Sequence, residues 1–152
     1  MDDEETDDPK EENEDEKAGH GDVNEKIEKI CIEHLDFSPQ QIDNLSELVG
    51  KGNKMIQFFL ERTFGIQEEK TTLVTLLIKT ERALVKLDEC YLLSDSLVME
   101  AKKIAFFDKK PGFDKKKAER VKQRMREVEQ TVQEVLDGLN VYLDRVSRST
   151  GY

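Results

Sequence analysis

The sequence predicts an all-α fold: an elongated antiparallel helical bundle, or coiled-coil hairpin, with a disordered acidic N-terminal tail. Three observations predict it. First, Ala118, Val121, Met125, Val128, Val132, Val135, Leu139, Tyr142 and Val146 follow one another at alternating spacings of three and four, and all are apolar or aromatic. That is a heptad seam along one long helix. Second, charged residues make up 38% of the chain and the hydrophobic set 36%, a balance suited to thin cores and wide solvated faces. Third, no stretch alternates with period two for long enough to make a strand.

The charge divides the chain before any helix is placed. Residues 1–22 hold twelve acids and two lysines, and the other 130 residues hold 22 acids and 22 bases. The whole net charge of -10 therefore belongs to the tail. Residues 1–21 contain no large apolar side chain after Met1, so they cannot bury enough surface to offset the entropy of ordering. The tail is expected to be disordered, and residues 22–146 to form the bundle.

Asp22 and Glu25 make a capping start for a short helix at about 23–35, with Val23, Ile27, Ile30 and His34 on one face and Cys31, Ile32 and Leu35 beside it. Ser38-Pro39-Gln40-Gln41 is a capping box with proline at the first helical position. The helix it opens, about 39–64, carries Ile42, Leu45, Val49, Gly52, Ile56 and Phe59 on one stripe, widened by Leu48, Met55 and Leu60. Gly50 and Gly52 weaken this helix by roughly 1 kcal/mol each. They either admit a close neighbour or mark a break near residue 50, and Gly65 is placed to stop the helix.

The third helix spans about 67–106, with Leu73, Leu77, Leu84, Leu87, Tyr91, Val98, Ala101 and Ala105 on its seam, and Thr80 and Ser94 in two seam positions. Val74, Ile78, Val85 and Leu92 form a second apolar face, which predicts a central helix with more than one neighbour. Ser94-Asp95-Ser96 is a candidate kink. Lys110-Pro111-Gly112 is the clearest turn. Asp114 then caps the last helix, about 115–146, with Phe113 and Ala118 as a hydrophobic staple. Residues 147–152 are expected to fray.

No catalytic, cofactor-binding or metal site is expected. Cys31-x-x-His34 places a thiol and an imidazole on one helix, but a zinc site needs about four such ligands and only His20 and Cys90 remain. A Cys–His nucleophile lacks a third group to orient it. Gly50-Lys51-Gly52 does not follow a strand, and neither nucleotide-binding glycine motif occurs. Asn44-Leu45-Ser46 matches a glycan acceptor inside a helix of a chain without an export signal, so it carries no weight. Two cysteines are too few for a disulfide framework. No run of about 18 apolar residues exists, so no membrane span is expected. These features point to the cytoplasm, with the nucleus as the alternative.

Two surfaces carry the functional expectation. The seam residues Val121, Met125, Val128, Val132, Val135, Leu136, Leu139, Tyr142, Leu143 and Val146 are candidates for binding a partner helix. Valine at three of the four d core positions, Val121, Val128 and Val135, argues against a leucine-zipper dimer. Leu136 and Leu143 broaden the stripe toward the C-terminus, which suits a bundle or a multi-helix complex. The second surface is basic: residues 102–126 hold eleven Lys/Arg against three acids. Lys109, Lys110, Lys115, Lys116, Lys117 and Arg120 crowd around the turn and could dock an acidic protein segment, anionic lipid or nucleic acid, the anionic ligand within the sequence itself being residues 2–16. Phe106, Phe107 and Phe113 are expected to pack under the turn instead of stacking on bases, so nucleic acid is not the expected ligand.

Leu84-Val85-Lys86-Leu87-Asp88 followed by Val98-x-x-Ala101-Lys102-Lys103 resembles the segment joining the last helices of BAG domains. Those are three-helix modules that bind the ATPase domain of heat-shock chaperones. The resemblance covers about 20 residues and implies a chaperone partner; the chain departs from it at Phe107-Asp108 and Pro111. The expectation is therefore a non-enzymatic scaffold or adaptor subunit that works through helix–helix contacts with other helical subunits, in a hetero-complex, with a homo-oligomer as the alternative. The alternative is a self-contained module that docks an acidic ligand or a chaperone through the basic tip.

Overall fold

The computed structural model describes residues 23–63, 67–108 and 110–149. The tail expected over 1–21, the Asp22 cap, the Gly65 stop and Lys109 lie outside these residues. Four helices make up the described chain: α1 at 23–35, α2 at Pro39–Arg62, α3 at Gln67–Phe107 and α4 at Lys115–Ser149. They form an antiparallel bundle in which α3 is central and packs on both α4 and α2, which also touch each other.

The helix starts are set by local chemistry. The Ser38 hydroxyl oxygen accepts from the Gln40 amide at 3.2 Å, and the Gln41 side chain accepts from the Ser38 amide at 3.1 Å. Glu28 of α1 ties the two helices together by accepting from the Ser38 hydroxyl and from the Gln40 amide. At the other start, Asp114 Oδ1 accepts from the amides of Lys116 and Lys117 at 3.1 and 3.2 Å. Both caps satisfy amides that a helix start leaves without partners. The chain leaves α1 and α3 through Asp36 and Asp108, at φ 59° and 50°, the left-handed turn that ends many helices.

The α4 seam lies where the spacing places it. Ala118, Val121, Met125, Val128, Val135, Leu139 and Tyr142 are buried, and Val132 and Val146 half-buried. The facing seam of α3 is Leu73, Leu76, Thr80, Ala83, Leu87, Cys90, Ser94, Leu97 and Ala101, also at alternating spacings of three and four. This corrects the expected α3 seam by a small rotation. Leu77, Leu84, Tyr91, Val98 and Ala105 are only half-buried, while the smaller Ala83 and Cys90 are buried in place of Leu84 and Tyr91.

Polar pairs hold the α3–α4 register: Glu68–Arg145, Lys79–Glu134, Lys86–Glu127, Glu89–Arg124 and Ser96–Lys117. From each pair to the next, α4 steps back by as many residues as α3 steps forward. Lys86 and then Arg124, both bonded to its side chain, hold the Glu127 carboxyl below the usual carboxylate range. Arg124 also reaches Glu89 at 2.9 Å, which makes this a network across the helix pair.

Two helices are continuous where the sequence left a break open, and α4 runs past the expected fray. α3 is unbroken at Ser94, whose hydroxyl donates to the Tyr91 carbonyl oxygen at 3.2 Å and so finds its partner inside the helix. Residues 84–103, the stretch resembling a BAG-domain junction, are therefore uninterrupted helix. α2 is likewise continuous through Gly50, and residues 147–149 extend α4.

The core has two parts. One gathers α1 and the N-terminal half of α2 with the later part of α3 and the first half of α4, including Ile27, Cys31, Leu35, Ile42, Leu87, Leu97, Val121 and Val128. The other gathers Ile56, Leu73, Leu76, Val135, Leu139 and Tyr142. Between them the buried Asn53 amide donates to Thr80 Oγ1 at 2.9 Å. Asn53 occupies the α2 seam beside Gly52, which the spacing had assigned to it.

Candidate docking surfaces

The expected helical-seam site separates into a buried and an exposed set. Val121, Met125, Val128, Val135, Leu139 and Tyr142 are covered by this chain's own helices, and Val132 and Val146 pack partly against them. Only Leu136 and Leu143, on the flank of the seam, remain exposed. Leu136 lines a cleft of about 230 Å³ between α2 and α4, with Leu48, Gly52 and Met55 opposite, Thr80 and Ala83 at the base, and Val132, Val135 and Leu139 on its own side. The lining is almost wholly apolar. No atom lies within 4 Å of where a Cβ on Gly50 or Gly52 would stand, so neither glycine admits a close neighbour within the chain.

The second apolar face of α3 is also open. Ile78, Val85, Leu92, Met99 and Phe106 follow at successive sevens and all are exposed, Val85 at 68% and Leu92 at 75%. The expectation that this face packs on a second neighbour does not hold. The seam side of α3 accommodates both α2 and α4, so nothing among the described residues covers the other side. Exposed Glu81, Asp88 and Asp95 occupy the turns between the apolar residues.

The basic tip is built, among the described residues, by the end of α3, residues 110–114 and the start of α4. Lys115 Nζ donates to the His34 carbonyl oxygen at 3.3 Å, Lys117 Nζ to Ser96 Oγ at 3.1 Å, and Arg120 pairs with Glu89 at 3.5 Å. Lys110 and Lys116 are exposed. Phe113 packs into the core and against the His34 ring, centroids 5.7 Å apart. The packing expected of the other two phenylalanines is overturned, since Phe106 is 58% and Phe107 78% exposed. They sit on the outer side of the last turn of α3. The suggested fold-back of residues 2–16 involves a tail and a lysine, Lys109, outside the described residues.

The cysteines face the core. Both are fully buried, and Cys90 Sγ lies 3.9 Å from the Val121 carbonyl oxygen. Burial, and then Glu28, push the Cys31 thiol up to about 11; burial, and then Glu89, push the Cys90 thiol up to about 11. Each folded value lies above the ordinary 9.0. The stability that the neutral buried thiols contribute is therefore full below pH 9 and is lost as the pH rises through 11. The melting temperature should fall across that window, and the double variant Cys31→Ala/Cys90→Ala should lack that part of the fall. At about pH 8, below the shifted thiol values, an aromatic disulfide reagent should label both thiols only as fast as the chain unfolds. Fast labelling of the folded chain would contradict this burial.

No group of three or more His, Cys, Asp or Glu side chains among the described residues is placed to hold a metal ion. No helix among them is long and apolar enough to cross a membrane. Comparison with protein-family models, curated proteins and solved structures finds no match.

Proposed function

We propose that this chain is a non-enzymatic scaffold or adaptor subunit that receives a partner helix along the open face of α3. The observation that supports this reading is the exposed run Ile78, Val85, Leu92 and Met99. Its spacing of seven is the repeat that keeps one helix against another over many turns.

The charges beside the run favour a partner with basic residues over a second copy of the chain. Self-pairing would set the Asp88–Asp95 turns against one another in either orientation. Magnitudes point the same way. Fully burying an aliphatic side chain contributes about 1.5–3 kcal/mol, so covering four partly exposed ones contributes on the order of 4–8 kcal/mol. Association itself costs roughly 4–15 kcal/mol. The apolar run alone makes a weak interface, and ion pairs from Glu81, Asp88 and Asp95 to a basic partner strengthen it. A reducing compartment, the cytoplasm, suits two free buried thiols.

The test uses Val85→Asp/Leu92→Asp. Both side chains are exposed, so the melting temperature should stay within about a degree or two of the parent. A photo-crosslinker at position 92 should join the parent chain to one stoichiometric helical partner, and the double variant should lose that partner. A parent chain that light scattering finds to be a lone monomer in native extract, or a variant that keeps every partner, overturns the proposal.

A further inference from the structure

We propose that the α3–α4 tip is a docking surface for an anionic lipid bilayer. Phe106 and Phe107 enter the interfacial apolar layer, and Lys102, Lys103, Lys110 and Lys116 engage the headgroup phosphates. The inference rests on Phe107 and four lysines that the α3 partner face does not use, together with Phe106, which ends that face beyond the run assigned to the partner helix.

Position comes first. Lys102 and Lys103 stand four residues before Phe106 and Phe107, so each pair shares a face of α3 one turn apart. All four are exposed, as are Lys110 and Lys116, and none of these four lysines forms an ion pair among the described residues. Among the nearby acids, Glu100 is half-buried beside Gly112 of the turn, and the others compete little. Asp114 is engaged in capping the α4 amides, and Glu119 pairs with Lys122 at 2.8 Å. Asp108 is the one exposed acid between the phenylalanines and the turn.

The ligand must then be anionic at its surface and apolar beneath. The chain's own acidic tail has the charge, but it has no large apolar residue after Met1 to cover two phenylalanines. Nucleic acid has both properties and fits the geometry less well. Adjacent helical residues diverge by about 100°, so Phe106 and Phe107 cannot form a parallel platform for stacked bases. Moreover, the unpaired cations of this surface are all lysines, point charges suited to a diffuse phosphate layer and without the forked donors of arginine. A bilayer with anionic lipid has phosphates above hydrocarbon, in the order that lysines behind phenylalanines require. Two weak signals acting together are what stable peripheral attachment needs.

The experiment is co-sedimentation of the full chain with vesicles of phosphatidylcholine alone, or with about one-third phosphatidylserine. Binding is expected to the anionic vesicles only and should weaken steeply as salt rises. Lys102→Gln/Lys103→Gln should lower partitioning by roughly twentyfold, each lysine near such a surface being worth about fivefold. Phe107→Ser should lower it comparably while leaving the melting temperature unchanged. Because the chain has no tryptophan, the Phe107→Trp variant carries a lone reporter whose emission should shift to the blue on anionic vesicles and stay put with heparin. Equal binding to neutral vesicles, or anionic binding indifferent to Phe107→Ser, overturns the proposal. So does binding to an RNA oligomer that shifts the emission of the Phe107→Trp variant as vesicles do, since it would assign the tip to nucleic acid. Val85→Asp/Leu92→Asp should bind vesicles as the parent does, which separates this result from that of the partner face.

Discussion

Replacing Val135 and Leu139 together with Asp should abolish cooperative folding. Both are buried in the cluster with Ile56, Leu73, Leu76 and Tyr142. Each substitution removes about 2 kcal/mol of apolar burial and sets a carboxylate among apolar neighbours, at a further cost of several kcal/mol. The total rivals the roughly 5–15 kcal/mol by which a domain is stable. The control lies on the same helix. Leu136→Asp/Leu143→Asp adds the same charge at exposed positions and should leave a sharp thermal transition by circular dichroism. If Val135→Asp/Leu139→Asp melts as sharply as its control, α4 does not organise the bundle through this seam.

Glycine substitutions should have opposite signs at two positions. Gly50→Ala should stabilise by about 1 kcal/mol, the helix-propensity gain, because nothing lies within 4 Å of the new methyl. A Cβ on Gly138 would meet Leu76 Cδ2 at 2.5 Å, with Leu76 Cδ1 and Cγ at 3.2 and 3.3 Å. Leu76 is itself buried and has little room to retreat, so overpacking costs about 1–3 kcal/mol. Gly138→Ala should therefore lose stability despite its better propensity, and Gly138→Leu should lose about 3 kcal/mol or more. Leu76→Ala introduced into the Gly138→Leu chain should recover part of that loss, because neighbouring substitutions do not add. Urea midpoints measure all four. If Gly138→Ala stabilised as much as Gly50→Ala, α3 and α4 would not approach closely at this point.

These glycines also mark where sequence reasoning stops. A helical glycine looks the same whether a neighbouring side chain presses on it or solvent does. Gly50 and Gly52 stood out as a pair in the sequence, yet the close approach is at Gly138. The phenylalanines of the tip pose a similar problem. Three aromatics within eight positions look like a small core, and only the direction in which α3 ends turns Phe113 inward and leaves Phe106 and Phe107 outside.

The sequence by itself determined the all-helical class, the span of α1, both helix caps and the whole α4 seam. Each of these depends on neighbours along the chain: a capping oxygen reaches amides two or three residues on, and a seam is a spacing. Tertiary structure decided that only one of the two apolar faces of α3 is core. It chose the face at Leu73, Thr80, Leu87 and Ser94 because smaller side chains there admit two helices. The exposed face at Ile78, Val85 and Leu92 also carries large apolar side chains, so hydrophobicity alone would not have left it open. Steric fit between helices made the choice, and that fit is not written in the periodicity of either helix.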